Sequence, residues 1–571
     1  MFSKEGDIRQ EVQEESDLKT TTNTFGSQFI SHSLRFASRT ALVENREGET
    51  ITRTFAEYLT EAKMAARSLL EIGLRPKESV CIMGHNSIEW HWMQFLDLGM
   101  TQQTWKLEAR LQAIKEVDPC MINFTSGSTG TPKAVLHSHS AILTAADTLM
   151  KDWGLKTNPQ ERFICYLPLY HGAQHLLSTF EHHLLGAVLH IAPREAIKLE
   201  SSFDPQTKLV DTLKDVRPTV FYGVSRMLEK IIEHLDETLA SANRIKQKMC
   251  ETIQNLNAEK NLAILQENDV NGIFSPSSLT WKLCRHYVVN SIKYSIGLDQ
   301  CRTVICGSSP LSKSLLLRFL GIDIFLVNEY GMTETWVTHC DRGKQKLGSV
   351  GTVVKGVEMK ILDPDERGFG EVLVRTPSIF TCYMKDPEKT RASFLGDGWY
   401  RSGDLGKIED GYLFLVGRLK ELLVTSGGKN VPPLPIEERV KEAIPCASHV
   451  VLIGERRKFL TMLIALKGDT TVPHQFHPLT KQWISNIIDH EVPETMEALT
   501  EIEQTKVHNA IQAAIDNVNA FAECHSFRIQ KWRFLPQELS FERGELTPSQ
   551  KIKREAVDLN YSHLIDAMYN S

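Results

Sequence analysis

Short runs of apolar and β-branched residues alternate with stretches of helical periodicity over most of the chain. The strand-like runs include ESVCIM (78–83), AVLHIA (187–192), TVFYGV (219–224) and IDIFLVNEYG (322–331). Strands that are separated by helices usually form parallel sheets with helices packed on their faces. The pattern therefore predicts a large α/β domain over residues 25–416, with parallel or mixed sheets flanked by helices.

Two departures from this alternation suggest further organisation. Residues 236–271 are polar, rich in Ala and Lys and poor in strand formers, and we expect a surface helical insertion there. Gly and Pro then cluster in the stretch 410–435, DGYLFLVGRLKELLVTSGGKNVPPLP, and such clustering is typical of a boundary. A smaller α+β domain is predicted to follow, over residues 421–571.

The remaining composition excludes several classes of protein. Residues 1–24 are polar and acid-rich, without the basic and apolar regions of a secretory signal, and predict a flexible arm. No apolar run reaches the roughly 20 residues that cross a bilayer, so we expect no transmembrane segment. The 11 cysteines form no CxxC pair, which favours reduced thiols in the cytosol. A net charge of −6 without a basic stripe argues against nucleic-acid binding.

The stretch NFTSGSTGTPKAVLHS (123–138) places Thr, Ser and Gly between two apolar runs. Such residues let backbone N–H groups turn toward an anion, and Lys133 can add a point charge. A Walker loop would need Gly at position 132 and Ser or Thr at position 134, where this chain has Pro132 and Ala134. The pattern indicates a phosphate-binding loop of another type; a Gly/Ser-rich surface turn is the alternative for an isolated segment.

This loop resembles the nucleotide loop of the adenylate-forming (AMP-binding) superfamily, which includes acyl-CoA synthetases, luciferases and peptide-synthetase adenylation domains. Six further stretches resemble that family's motifs in the same order: LPLYHG (167–172), CGSSPL (306–311), NEYGMTET (328–335), GWYRSGDLG (398–406), GRLKELLVTSGGKNVPP (417–433) and GELTPSQKIKR (544–554). The segments GGKNVPPLPIEE and RPTVFYGVSRMLEK are most similar to the bubblegum group of long-chain fatty acyl-CoA synthetases. The resemblance covers residues 25–568 and implies a large N-terminal domain with a smaller C-terminal domain that rotates about a hinge at residues 417–420.

The resemblance also implies roles for individual residues. The phosphate loop would comprise Thr125, Ser126, Gly127, Ser128, Thr129, Gly130 and Lys133. The adenine side would comprise Ser308, Ser309, Asn328, Glu329, Tyr330, Gly331 and Thr333. Glu334 with Thr129 would hold Mg²⁺, although a Glu after Thr is more often a helix-start residue. Asp404 would contact the ribose with help from Arg418, although Asp in a Gly-flanked turn is usually a turn former.

Four further roles concern catalysis and domain movement. Lys551 would place its ammonium near the α-phosphate, with Lys553 as the weaker candidate and a solvated basic tail as the alternative. Lys420 would act as the hinge, and the stretch around Gly427 and Gly428 would let the pantetheine chain of CoA approach the backbone. His171 would orient the acid's carboxylate, although such a histidine is more often structural or gating.

The implied reaction is ATP-dependent ligation of long-chain fatty acids to CoA through an acyl-adenylate, with ATP, CoA and Mg²⁺ as cofactors. A catalytically weak or silent nucleotide-binding relative, acting as a binding or scaffold protein, is the alternative. A small-acid or amino-acid adenylating enzyme is a third reading, which a charged residue in the acyl pocket would favour. We expect a cytoplasmic protein, with peripheral association at the endoplasmic reticulum membrane left open.

One part of the chain departs from the family. Between Met100 and Met121 the family has a much longer stretch that completes part of its first sheet, and this chain has only 20 residues there. The spacing of Trp105, Leu107 and Leu111, continued by Ile114, predicts one amphipathic helix in the shortened stretch. We expect missing sheet strands at this point, and this expectation is the main support for the silent alternative.

Overall fold

The computed structural model describes residues 23–46, 48–82, 84–91, 104–125, 132–155, 157–158, 160–169, 171–193, 196, 205–240, 242–266, 279–308, 311–341, 345–468, 475–547 and 551–570. Most of the arm predicted over residues 1–24 lies outside these ranges. The end of that arm is part of the fold, because buried Thr24 caps the first helix by accepting a hydrogen bond from the backbone N–H of Ser27.

The strands of the described residues fall in both parts of the chain. In chain order they are β1 (Thr40–Arg46), β2 (Glu49–Thr54), β3 (Pro119–Thr125), β4 (Lys133–Ser138), β5 (Arg162–Cys165), β6 (Val188–Ile191), β7 (Val220–Val224), β8 (Thr303–Gly307), β9 (Leu326–Met332), β10 (Trp336–Asp341), β11 (Thr352–Val353), β12 (Glu358–Leu362), β13 (Gly370–Arg375), β14 (Cys382–Tyr383), β15 (Phe394–Leu395), β16 (Trp399–Glu409), β17 (Tyr412–Arg418), β18 (Leu423–Val424), β19 (Asn430–Val431), β20 (Ala447–Ile453), β21 (Leu460–Leu466) and β22 (Ile529–Phe534).

Helices alternate with these strands. The α-helices are α1 (Phe25–Arg35), α2 (Phe55–Glu71), α3 (Ile88–His91), α4 (Thr104–Ala113), α5 (His139–Asp152), α6 (Gly172–His175), α7 (His182–Leu185), α8 (Pro205–Val216), α9 (Ser225–Ala240), α10 (Arg244–Leu265), α11 (Leu279–Ser295), α12 (Lys313–Gly321), α13 (Pro387–Ala392), α14 (Pro433–Ala443), α15 (Pro478–Ile488), α16 (Glu501–Ala520), α17 (Arg554–Asn560) and α18 (Ser562–Asn570). A π-helical turn, Leu176–Glu181, joins α6 to α7, and 3₁₀ turns occupy Leu419–Glu421 and His525–Phe527. Within the described ranges, no helix is long and apolar enough to cross a membrane.

Two sheets form the centre of the N-terminal part. The first has the order β2-β1-β6-β5, and both β1 and β5 run parallel to β6. The second has the order β11-β10-β9-β8-β7, in which β7, β8 and β9 are parallel and β10 and β11 continue antiparallel. Helices pack on these sheets through buried side chains such as Phe55, Phe163, Phe221 and Phe319. The predicted α/β fold with parallel and mixed sheets is confirmed.

Two of the strand-like runs differ from the prediction. ESVCIM forms no strand in its described residues 78–82, where Val80 and Ile82 are 43% and 40% exposed. A β-branched run becomes a strand only where a neighbouring strand supplies hydrogen-bond partners, and none pairs with it in the described part of the chain. In IDIFLVNEYG the strand begins only at Leu326, because Asp323 has a φ of 56° and ends the preceding helix.

The helix predicted in the shortened stretch is present as α4. Leu107 is its buried residue, and Leu111 lies against Gly26, whose added Cβ would be 3.1 Å from the Leu111 Cδ2 atom. Trp105, which the pattern placed on the apolar face, is 60% exposed. Ile114 follows the end of the helix. One side of α4 therefore packs against α1, and the side that carries Trp105 is exposed.

The insertion predicted over residues 236–271 contains the long helix α10, which has a buried face as well as a polar one. Asn261 donates a hydrogen bond from its side chain to the Leu320 carbonyl at 2.8 Å, at the end of α12. Gly321 permits this approach, because a Cβ there would lie 2.9 Å from the Gln254 carbonyl oxygen. The helix is thus packed on the second sheet's helical layer.

The C-terminal part has buried apolar groups of its own. Strands β20 and β21 are antiparallel, β22 joins β21 in parallel, and α14 and α16 pack beside them. Val507, Ile511 and Ile515 recur along α16 at the spacing of one helix face and are fully or almost fully buried. The buried residues from Leu423 onward pack among themselves, as expected for a second domain.

A row of acidic side chains on α9 meets basic groups of the C-terminal part. Glu229 accepts from Lys441 at 3.2 Å, and Glu233 pairs with Lys467 at 2.8 Å. One turn further, the Glu237 carboxylate lies 3.0 Å from His477 Nε2. Residues four apart lie on one side of a helix, so this side of α9 is a charged face against the C-terminal part.

We expect Gly297→Ala to destabilise the N-terminal part more than Gly48→Ala. Both glycines have positive φ, 71° and 87°, which costs alanine about 1–2 kcal/mol. Only Gly297 is also confined, since a Cβ would lie 2.2 Å from the Leu213 carbonyl carbon, whereas Gly48 has free space. The added collision should cost about 1–3 kcal/mol more, measured by thermal unfolding of both variants. Equal losses would contradict this packing.

Candidate active site

Three parallel strands bring polar residues to one edge of the second sheet. Ser308 follows the end of β8, Tyr330 lies near the end of β9, and Tyr222 lies near the end of β7. In α/β folds, ligands bind in the crevice at the carboxyl ends of parallel strands. The chain's candidate residues from the stretches 306–311 and 328–335 thus meet at the edge where a ligand is expected.

The predicted phosphate loop joins two paired strands. Thr125 ends β3 and Lys133 begins β4, and these two residues are direct partners in the antiparallel pair. The loop is therefore closed at its base by strand pairing. Ser126, Gly127, Ser128, Thr129 and Gly130 lie outside the described residues.

Lys133 belongs to a compact group with two residues from distant parts of the chain. Its Nζ atom lies 4.8 Å from the centre of the Tyr383 ring, a cation–π distance. Tyr383 donates a hydrogen bond to Glu334 Oε1 at 2.7 Å. Burial lowers the pKa of Lys133, whereas the Glu334 carboxylate opposes this shift. The group places the Lys133 ammonium and the Glu334 carboxylate beside the base of the predicted phosphate loop.

Glu334 is the described residue best suited to a magnesium ion. Mg²⁺ prefers one or two carboxylates together with phosphate oxygens and water. Within the described ranges, no group of three or more His, Cys, Asp or Glu side chains could hold a metal by itself. A single buried carboxylate beside a phosphate loop fits an ion that arrives with a nucleotide.

Asp404 is held by residues from two other strands. Its Oδ2 atom accepts a hydrogen bond from the Tyr330 hydroxyl at 2.6 Å, and its Oδ1 atom lies 3.1 Å from Arg418 Nε. The alternative that Asp404 is a turn residue is wrong, because it lies inside β16 and pairs there with Arg418 of β17. The Asp404 carboxylate raises the pKa of Arg418, and burial raises the pKa of Tyr330.

Three residues of the NEYGMTET stretch, Asn328, Gly331 and Glu329, are held by contacts within the fold. Asn328 donates from its side chain to the Ser349 carbonyl at 3.0 Å. Gly331 lies within β9, where the close pairing with β10 leaves no room for a side chain, since a Cβ would lie 2.2 Å from the Trp336 carbonyl oxygen and Thr333 follows in the turn between the strands. Thr333 lies half-buried in that turn. Glu329 is buried with its carboxyl group against Gly307, and therefore its side chain is held within the fold.

His171 precedes the short helix α6 and contacts the end of β8. Its Nε2 atom lies 3.0 Å from the Ser308 hydroxyl, which lies 3.2 Å from the Tyr222 hydroxyl. Burial lowers the pKa of His171 to about 4, and the positive charge of Lys551 adds to this effect. His171 is therefore a neutral imidazole near pH 7. Ser309 lies outside the described residues.

Lys551 approaches this site from the C-terminal part of the chain. Desolvation lowers its pKa, Arg418 adds to the shift, and Asp404 opposes it. Lys551 therefore interacts electrostatically with both the Asp404 pair and His171. The structure thus brings together Lys133, Glu334, Tyr330, Asp404, Arg418, His171, Ser308 and Lys551, drawn from both predicted domains.

Three candidates lie on the path between the two parts. Lys420 is exposed within the 3₁₀ turn that follows β17. Gly427 and Gly428 are exposed in a turn between β18 and β19, where Gly428 has a φ of 71° and donates to the Thr425 carbonyl at 2.8 Å. These glycines present bare backbone to solvent.

The comparisons with known proteins agree with this geometry. The sequence profile described as AMP-binding enzyme matches residues 92–384, about half of the chain. The long-chain-fatty-acid–CoA ligase ACSBG2 of Gallus gallus is 30% identical over 653 aligned residues, covering 99% of this chain and 84% of that protein. The chain belongs to the AMP-binding enzymes.

A second AMP-binding enzyme of the same kind is similarly close. The long-chain-fatty-acid–CoA ligase ACSBG2 of Homo sapiens is 32% identical, covering 86% of this chain and 72% of that protein. The resemblance to the bubblegum group of long-chain acyl-CoA synthetases is therefore confirmed. The alignment with the Gallus gallus protein spans 653 positions, more than the 571 residues of this chain, so that relative has residues without a counterpart here.

The fold of these AMP-binding enzymes is also found among solved structures. The O-succinylbenzoate coenzyme A synthetase of Bacillus subtilis, in complex with ATP and a magnesium ion, matches with a TM-score of 0.59 and 18% sequence identity. The match covers 92% of this chain and 98% of that one. The expected adenylate-forming fold is confirmed.

Sequence reasoning missed two residues of this site, Tyr383 and Tyr222. Tyr383 lies beside Lys133 because β14 pairs with β4, and no local pattern indicates a pairing between strands so far apart in sequence. Tyr222 lies in the run TVFYGV, which predicts an apolar strand. Its hydroxyl is the only polar side-chain group near the end of that run that could have indicated a place in the site.

We predict that Glu329→Gln stabilises the protein increasingly as pH rises. Burial raises the pKa of Glu329 to about 8 from an ordinary value of 4.5. Between these values the folded state holds a proton that the unfolded chain releases. The free energy of unfolding should therefore fall by up to about 1.4 kcal/mol per pH unit, and a glutamine removes this fall.

Thermal unfolding of the wild type and the variant at about pH 5, 6, 7 and 8 checks this expectation. The exposed Glu366→Gln is the matched control and should show no growing difference. A constant difference between the wild type and Glu329→Gln over this range would show that the buried carboxyl is ionised throughout.

Proposed function

We propose that this protein ligates long-chain fatty acids to CoA with ATP, through an acyl-adenylate, with release of AMP and pyrophosphate. The observation that carries the proposal is the buried Asp404 carboxylate, which Tyr330 and Arg418 hold at the edge of the second sheet. Lys551 of the C-terminal part interacts electrostatically with Asp404, Arg418 and His171, and in this proposal its ammonium reaches both an α-phosphate and an acid carboxylate. The similarity to long-chain-fatty-acid–CoA ligases supports the substrate class.

In this proposal the nucleotide spans the edge of the second sheet. Tyr330 offers an aromatic face to adenine, and Asp404, steadied by Arg418, accepts hydrogen bonds from the ribose hydroxyls. Ser308, Asn328, Gly331 and Thr333 form the walls of the nucleotide site, with Ser309 as the neighbouring loop residue, whereas the Glu329 carboxyl turns inward over Gly307. The β- and γ-phosphates contact Lys133 and the loop residues Thr125, Ser126, Gly127, Ser128, Thr129 and Gly130. Glu334 and the Thr129 hydroxyl would hold Mg²⁺, which would supply positive charge to the phosphates when bound.

Adenylation forms a bond between a carboxylate oxygen and the α-phosphorus, and breaks the bond from that phosphorus to pyrophosphate. Negative charge builds on the phosphate oxygens, so positioned cations stabilise the transition state. Lys551 steadies the oxygens of the α-phosphate, and Lys133 those of the leaving pyrophosphate. His171, neutral because of its burial, orients the attacking carboxylate.

The acyl chain needs an apolar space near His171. A cavity of about 2520 Å³ is lined by Leu167 and Leu169, close to His171 in sequence, and by apolar residues such as Ile82, Trp90 and Phe180. Its lining also includes charged residues such as Arg226, Glu538 and Arg543, and the apolar part is the one suited to an acyl chain. Each methylene that enters such a space gains about 0.8 kcal/mol. We propose that the chain of the fatty acid extends into this cavity.

The second half-reaction requires CoA to reach the acyl-adenylate. We propose that residues 421–571 form a C-terminal domain that rotates on a hinge at 417–420 relative to the domain 25–416, which carries the helical insertion 236–271. The rotation withdraws Lys551 and brings the turn at Gly427 and Gly428 beside the pantetheine chain, whose thiol then attacks the acyl carbon and releases AMP.

The silent alternative is not favoured, because the residues that adenylation requires stand together in one site. Pro119 and Cys120, at the end of the shortened stretch, line the cavity. We propose a cytoplasmic location, with contact at the surface of the endoplasmic reticulum membrane where the fatty substrate is held.

Lys551→Ala should abolish acyl-adenylate formation and leave thioester synthesis from supplied acyl-adenylate largely intact. The ammonium is needed only while charge builds at the α-phosphate. Pyrophosphate release without CoA and CoA consumption with synthetic acyl-adenylate measure the two steps. Lys553→Ala, two residues further along, is the control and should retain both. Equal loss of both steps in Lys551→Ala would contradict the assignment of Lys551 to adenylation.

Lys420→Pro should leave acyl-adenylate formation in place and slow its transfer to CoA strongly. Proline fixes φ near −65°, and a hinge must change its backbone torsions. Single-turnover transfer from preformed acyl-adenylate provides the measurement. Lys420→Ala, which removes the side chain and keeps the torsional freedom, is the control. Rapid transfer in the proline variant would show that the rotation pivots elsewhere.

A further inference from the structure

A chain of polar groups leads from His171 into the interior of the fold. His171 Nε2 lies 3.0 Å from the Ser308 hydroxyl, and that hydroxyl lies 3.2 Å from the hydroxyl of Tyr222. The Tyr222 hydroxyl in turn faces the Glu329 carboxyl, since both groups converge over Gly307. The path therefore runs over four residues from the edge of the candidate active site to a buried carboxyl group.

Gly307 makes the inner end of this chain possible. A Cβ at this position would lie 2.9 Å from Glu329 Oε1 and 2.9 Å from the Tyr222 hydroxyl. The two groups thus converge over a backbone that lacks a side chain. The φ of Ser308 is 71°, an uncommon value for a residue with a Cβ, and it belongs to the turn that carries the Ser308 hydroxyl to His171.

Each end of this chain of polar groups has one polar atom without a hydrogen-bond partner among the described residues. Glu329 is 6% exposed, and its Oε2 atom has no hydrogen-bond partner among the described residues. His171 Nδ1 is likewise buried without a partner in the described part of the chain. A neutral imidazole has one nitrogen that donates and one that accepts, and the bond at Nε2 decides which is which.

The direction of the hydrogen bonds depends on the proton of Glu329. A protonated carboxyl can donate to Tyr222, which then donates to Ser308, and Ser308 donates to His171 Nε2. The imidazole proton then resides on Nδ1. An ionised carboxylate can only accept, which reverses every bond and leaves Nδ1 with a lone pair. Only the first arrangement offers an N–H to a substrate carboxylate.

We infer that Glu329 and Tyr222 are positioning residues that, through Ser308, make His171 present its Nδ1–H group to the carboxylate of the acid substrate. This inference rests on the proposed function, since it concerns how the acid is held during adenylation. Neither residue touches the reacting atoms, and both act through His171.

The surroundings of Glu329 favour its neutral form. Burial raises its pKa to about 8. The groups that face it are Tyr222 from β7, Cys306 from β8 and Glu181 from the π-helical turn; the buried Glu181 carboxyl also has its pKa raised, by burial and then by Glu329. Two carboxyls in one dry region resist ionisation together. On the other side, Lys551 helps to keep His171 neutral.

The test is the pH dependence of the KM for a long-chain fatty acid in ATP–pyrophosphate exchange, measured without CoA. In the wild type we expect this KM to rise about tenfold between about pH 8 and 9, the slope of one titrating group, while the KM for ATP stays level. Glu329→Gln, whose amide can donate at every pH, should hold the acid KM at its low value. Loss of the Lys551 proton would change the acid KM by the same factor in the wild type and in Glu329→Gln.

Tyr222→Phe and Ser308→Ala break the chain at two separate links. Each should raise the acid KM roughly tenfold at low pH and remove the rise above pH 8, and two variants guard against misfolding of one. Tyr222→Phe, which lies outside the proposed nucleotide wall, should also leave the KM for ATP unchanged. A rise above pH 8 that is as large in Glu329→Gln as in the wild type would overturn the inference, as would an unchanged acid KM in both chain-breaking variants.

A failure of the proposed function has a different signature. In that case the wild type would show no exchange with any long-chain acid. The inference can then be tested by the ¹⁵N chemical shifts of the His171 ring. These signals are assigned by their absence in His171→Gln. The proton should move from Nδ1 to Nε2 as pH rises past about 8 in the wild type and stay on Nδ1 in Glu329→Gln. A tautomer that is independent of pH in the wild type would contradict the inference.

Discussion

The buried carboxylate of Asp404 is the interaction on which the candidate active site depends. It accepts a hydrogen bond from Tyr330 of the second sheet and pairs with Arg418 on the neighbouring strand. A carboxylate that is removed from water must be compensated by such partners, so the three side chains hold one another in place. Arg418 is also the last residue before the turn that leads to the C-terminal part. The geometry of the nucleotide edge and the direction of the chain toward Lys551 are therefore fixed together.

Burial shapes the electrostatics of the site as much as charge does. His171 is neutral because it is surrounded by protein, and Lys551 adds a like charge that disfavours its protonation. Lys133 and Lys551 have lowered pKa values for the same reason, with Glu334 and Asp404 opposing the shift. The candidate site thus combines cations with a neutral imidazole, which the proposed function assigns to phosphate oxygens and to the acid.

The sequence allowed the parallel α/β fold and most of the site to be predicted, because these depend on local patterns and on motifs. The strands β6 and β7 were predicted from apolar runs, and the residues that surround Lys551 were predicted from motifs in a fixed order. Tyr383 was not found, since its place follows from a strand pairing between distant segments. The absence of a strand at Val80 and Ile82 was not foreseen either, because a strand depends on a neighbour as well as on its own residues. Glu329 was assigned to the nucleotide wall, yet its carboxyl group turns inward over Gly307.

The acidic face of α9 has a consequence for how the two parts of the molecule can separate. Glu229 and Glu233 form ion pairs with Lys441 and Lys467, and Glu237 lies beside His477. Water and small ions solvate such groups readily once they part, whereas parted apolar surfaces would adhere to each other or to other molecules. In the proposed domain rotation, this contact would therefore separate and re-form without exposing an adhesive apolar surface.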